Sequence, residues 1–104
     1  YSNLGMVLAG EIVAARAGQP FETHVRSRIL EALEMRATVA GFPRRLQGTA
    51  LAVGHGARDR DGHRPVMPPF DTGALLPAAG LTSNVVDLAR FVAWNFRTLD
   101  GAAN

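Results

Sequence analysis

The chain has 104 residues, 47% of them apolar and none of them cysteine, an ordinary globular composition that excludes disulfides, zinc–thiolate sites and a thiol nucleophile. Its formal charge is +2, with eleven basic residues that are all arginine and nine carboxylates interleaved among them. Only Arg44 and Arg45 are adjacent, a scatter that describes a solvated surface, so nucleic acid is not an expected partner.

Leu4, Val7, Leu8, Ile12 and Ala15 recur at the spacing of one helix face, which predicts a helix from Leu4 to Ala17. Met6, Ala9 and Val13 widen that face until the helix is expected to be largely buried. Ser2 or Asn3 can cap its start, and Gly18 supplies a left-handed stop. Pro20 opens a second helix of about three turns, with Phe21, Val25, Ile29 and Leu33 as its apolar stripe. From Glu34 to Gln47 the pattern is lost, and Gly41, Pro43 and the Arg44–Arg45 pair read as an irregular crossing.

Ala50–Gly56 and His63–Met67 are expected to pair as a two-stranded ribbon through an Asp61–Gly62 turn, with Pro65 confining the second strand to an edge. "PPFDTGALLPAAG" reads as a punctuated loop. In the last helix Ser83 or Asn84 is the cap and Asp87 lies in the first turn. Val85, Leu88, Ala89, Val92 and Phe96 form one face, and the helix is expected to end near Arg97, with "DGAAN" a stop or a cut. No apolar run approaches the ~18–20 residues of a membrane-spanning helix.

The expected fold is therefore mainly α with a small antiparallel β-ribbon. Three helices and a ribbon make a thin core, so residues 1–104 are expected to be a partial domain whose apolar helices pack on the remainder of the parent chain. The opening tyrosine reads as the end of a loop feeding a helix, as at an internal boundary.

Three stretches carry a family resemblance. "YSNLGMVLAGEIVAARAGQPFETHVRSRILEALEM", "LAVGHGARDRDGHRPV" and "PAAGLTSNVVDLARFVAWNF" together resemble, in that order, the serine β-lactamase and penicillin-binding-protein superfamily, in its class C β-lactamase, DD-carboxypeptidase and esterase branch. In that family a Tyr-x-Asn motif opens a helix, a Gly-x-Pro-Phe step leads into the next, and a small-residue loop precedes a later helix. About nine tenths of the chain aligns. The resemblance implies the helical subdomain of an α+β serine hydrolase that cleaves amide or ester bonds through an acyl-enzyme. Its substrates would be β-lactams, D-Ala-D-Ala-type peptides or small esters, with no cofactor and no metal. It also implies an exported or membrane-anchored location for cell-wall enzymes, or a cytoplasmic one for esterases.

By matching position, Tyr1 is the family's catalytic tyrosine, which takes the proton of the serine nucleophile, and Asn3 is its substrate-binding amide. A phenol with a pKa near ~10 needs about three units of depression to act near neutrality, and nearby cations must supply it. The family draws them from Ser-x-x-Lys and from Lys-Thr-Gly or His-Thr-Gly, and neither motif occurs here. The Thr-Gly pair in "DTGA" precedes the last helix and is not a substitute. The isolated segment is accordingly expected to be inactive.

The chain departs from the family where Ala32-Leu33-Glu34-Met35 replaces a common Pro-Leu-Gly-Met, implying either a turn that avoids positive φ or a helix that runs on. Gly54-His55 replaces a Gly-Tyr of the ribbon. His24, His55 and His63 lack the spacing of a compact metal site, and Phe91 and Trp94 sit at core spacing on a helix. The alternative function is a non-catalytic interaction domain of the same fold, or an arginine-rich helical binding module.

Overall fold

The structure, a computed structural model, describes residues 1–101. Helix α1 runs Asn3–Ala17 and is capped by Ser2, whose hydroxyl accepts from the Gly5 amide at 3.1 Å. Gly18 closes it at φ 64°, where its amide returns to the Ala14 carbonyl. The one buried residue of α1 is Gly10, against which the ring of Pro77 lies so closely that a Cβ there would overlap it. Expected burial of α1 is not what is found: Leu4, Leu8 and Ile12 are exposed. The chain offers this helix only short neighbours, which meet it at the glycine and leave its widest apolar side open.

The second helix departs from one regular rod. Helix α2 spans Phe21–Val25 and widens into a π-helical turn over Arg26–Leu30, with the Glu31 amide reaching the Arg26 carbonyl at 2.9 Å. A stripe repeating every four residues drifts about 40° per repeat on an α-helix of 3.6 residues per turn, and a wider turn takes up that drift. Phe21, Val25, Ile29 and Leu33 all remain half-buried as a result. The segment ends at Glu34 with φ 54°, the left-handed region that favours glycine. Neither expected alternative for this turn holds, since it adopts positive φ with a glutamate. The turn drops Leu30 and Met35, the two buried large apolar residues among those described, into the interior.

Beyond it, strand β1 (Val39–Ala40) pairs antiparallel with β2 (Leu81–Thr82), with Val39 opposite Thr82 and Ala40 opposite Leu81. The pairing continues as the Gly41 amide donates to the Gly80 carbonyl at 2.6 Å and the Thr82 hydroxyl to the Gly41 carbonyl at 2.8 Å. This sheet lies in segments whose sequence has no strand pattern. The expected ribbon is present as a single bridge, His55 with Val66, flanked by bonds from Gly56 to Pro65 and from Met67 to Gly54. Within the expected loop, Asp71 accepts from the Gly73 amide and a 3₁₀ turn over Gly73–Leu75 leads into the short helix α3, Leu76–Ala79.

Helix α4, Val85–Leu99, is capped by Asn84, which accepts from the Asp87 amide at 2.9 Å. It packs inward by a polar face. Asp87 is 2% exposed and accepts from the Ala37 amide, the Thr38 hydroxyl and Arg90, each at 2.9 Å. Arg90 also donates to the Glu34 carbonyl. Burial alone would raise the Asp87 pKa, but the bonds from Thr38 and Ala37, with the bond and charge of Arg90, hold it below the ordinary carboxylate value. Val85, Leu88, Val92 and Phe96, expected to face a core, are exposed. Trp94 is half-buried and tilts 40° against the more exposed Phe91 at 5.6 Å, so only one of that pair approaches a core position. The radius of gyration is 16.5 Å, above the roughly 13 Å of a compact chain of this length.

Two stability predictions follow from this packing. Glu34→Gly should raise stability by about 1 kcal/mol by relieving the left-handed strain, because the Arg36–Glu34 pair it removes is 3.8 Å long and solvent-exposed; thermal melts of the protein carrying this segment check it. An unchanged or lower midpoint would refute it. For Asp87, the folded pKa lies below the unfolded value, so its stabilisation is complete above about pH 4 and declines as pH falls through the depressed folded pKa. Melts of Asp87→Asn against the parent from neutral to acid pH should show a lower midpoint at neutrality and a smaller loss on acidification.

Candidate functional site

Tyr1 and Asn3 flank the capping serine at the start of α1. Because Ser2 is the residue that satisfies the helix end, the Asn3 side chain is not used as the cap and stands exposed on the first turn. Tyr1 is 99% exposed, and its hydroxyl donates to the Ala78 carbonyl of α3 at a long 3.4 Å. The phenol is thus outside any apolar interior, and the partner it meets is neutral. The structure places Tyr1 and Asn3 at one helix end, and the arginine that shares that helix, Arg16, lies in its last turn at the opposite end.

The residue after Ala78 begins a groove of about 350 Å³, within the range of small-molecule sites. Ala79, Gly80 and Leu81 form one wall and Gly41 and Phe42 the adjoining one. Met67, Pro68, Pro69 and Phe70 cross from the loop, and Gln47, Thr72 and Thr82 bring the polar groups. Sequence reading did not assign these residues to a site. The available signal was the run of proline, methionine and phenylalanine in a segment with no helix or strand period, since apolar side chains there are not explained by a core face. A second hollow of about 650 Å³ lies beside α2 and β1, lined by Glu22, Arg26, Glu31 and Arg36 among others, and does not include the Ala78–Gly80 segment.

The remaining candidates are local. His24 accepts from the Gln19 amide at 3.2 Å, the His55 ring donates to the Val53 carbonyl at 3.0 Å, and the His63 amide is held by Asp59 at the turn. Among the described residues no three His, Asp or Glu side chains come together as a metal site. These hydroxyls are also engaged: Ser27 donates to the His24 carbonyl three positions back, and Ser83 bonds the distant Thr38 at 2.7 Å. No lysine exists to activate any of them. No described helix is long and apolar enough to cross a membrane.

A comparison with curated protein sequences finds no match. Among solved structures the chain is similar to the octameric penicillin-binding protein homologue from Pyrococcus abyssi, with a TM-score of 0.68 and 28% identity over 88% of this chain. It covers 20% of that protein, so it spans about one fifth of the neighbour's length. Its fold, mainly helical with a small antiparallel sheet, is like the corresponding part of that neighbour. The sequence profile of the Beta-lactamase family matches residues 1–104 in full, and the chain belongs to that family.

Proposed function

We propose that this chain is the helical part of a serine hydrolase that cleaves amide or ester bonds through an acyl-enzyme, and that it supplies the tyrosine arm and one side of the substrate cleft. The observation that carries this reading is the placement of Tyr1, an exposed phenol whose hydroxyl meets the Ala78 carbonyl beside an apolar groove, in a chain of the Beta-lactamase family. Tyr1 takes the proton of the attacking serine, and the Asn3 amide donates to the substrate carbonyl while its oxygen accepts from an ammonium. The serine and the lysine come from other parts of the protein, because no serine here has a lysine three residues on. The groove receives the apolar arm of the acyl group. The remainder of the parent chain covers the exposed apolar faces of α1 and α4, which are too extensive to be left to water.

Acylation of the full-length protein by a fluorophosphonate or a penicillin-type probe, followed by mass spectrometry, tests the reading. The intact protein should gain one covalent adduct on a serine outside this segment. Tyr1→Phe should slow acylation about 10²–10⁴-fold, the usual range for loss of a general base. A rate equal to that of the parent would remove Tyr1 from the mechanism. The isolated 104-residue segment should show no hydrolysis at all.

A further inference from the structure

We propose that Asp87 is a positioning residue for the candidate site, and that it acts through the two paired segments that form the groove walls. The inference rests on the hydrolase reading above. A path of hydrogen bonds and short chain segments joins the two places. Asp87, on α4, holds the Ala37 amide and the Thr38 hydroxyl, and Thr38 in turn bonds Ser83 at 2.7 Å. Directly beyond these anchors β1 pairs with β2, and the Gly41 amide reaches the Gly80 carbonyl. Gly41 and Phe42 then form one wall of the groove, while Gly80 and Leu81 form the other. Two residues before Gly80, the Ala78 carbonyl accepts from the Tyr1 hydroxyl.

The links from Asp87 to Gly80 are each 2.9 Å or shorter, and the end carrying the anchor is the deepest polar position of the described chain, Asp87 at 2% exposure and Thr38 at 6%. An ionised carboxylate at such depth holds its donors more tightly than a neutral acceptor would. Loss of that charge frees Ala37–Gly41 to slide against Gly80–Ser83 without changing any residue that lines the groove. The consequence falls first on substrates whose acyl arm fills the groove, and least on those too small to reach it.

The test uses the full-length protein and the p-nitrophenyl esters of acetic and octanoic acid. The quantity read is the ratio of kcat/KM for the octanoyl ester to that for the acetyl ester, which a reduced fraction of folded protein leaves unchanged. Asp87→Asn should lower this ratio about fivefold or more. Thr38→Val should lower it about two- to threefold, and Thr38→Ser, which restores the hydroxyl, should return it toward the parent value. If Asp87→Asn does not fold, the two Thr38 variants decide the matter. A ratio unaltered in Thr38→Val, whatever the absolute rates, overturns the positioning role. A parent protein that neither hydrolyses the esters nor takes up fluorophosphonate overturns the hydrolase reading, and this proposal with it; an active parent with an unmoved ratio overturns the proposal alone.

Discussion

A carboxylate cut off from water must find its hydrogen bonds inside the protein, and Asp87 finds three within 2.9 Å. Two of the donors, the Ala37 amide and the Thr38 hydroxyl, lie some fifty positions earlier in the chain. The third, Arg90, sits one turn along the same helix and reaches on to the Glu34 carbonyl. These bonds fix the rotation of α4 about its axis. With Asp87 turned inward, the row Val85, Leu88, Val92 and Phe96 is carried outward, against its own hydropathy. The same bonds bring residues 37–38 beside Ser83, which lets two very short strands pair in register despite having only two residues each.

The turn before this anchor has a related logic. The π-helical turn and the positive φ of Glu34 bend the chain sharply enough to place Leu30 and Met35 inside within a few residues of Thr38. Apolar burial and the polar anchor are therefore one small cluster. Its size explains the extended outline of the molecule: residues far from it, including most of α1, have few apolar neighbours and remain open. Contiguous exposed apolar faces of this kind are uncommon on the surface of a soluble monomer.

For the site, the useful result is a division of labour at the start of α1. Ser2 satisfies the helix terminus, so Tyr1 and Asn3 on either side of it are spared that task. Tyr1 reaches across to α3, and Gly10 lets α3 lie close because it has no Cβ to meet the ring of Pro77. A helix end, a close glycine contact and a two-stranded pairing thus converge beside one groove.

Local physics was legible in the residues themselves. The serine and asparagine caps, the glycine stop after Ala17, the extents of α1 and α4 and the turn at Asp59–His63 depend on neighbours a few positions away, and the sequence carries those neighbours explicitly. The roles given to Tyr1 and Asn3 rest on their motif, and the structure adds that both stand exposed at the start of α1. Tertiary structure alone decided which face of α4 turns inward, that Glu34 takes a conformation glycine prefers, that residues 39–40 meet 81–82, and that a proline-rich loop closes a groove. Each of those outcomes depends on donors and walls brought together from distant parts of the chain, and hydropathy periodicity holds no information about a buried carboxylate whose partners lie fifty residues away.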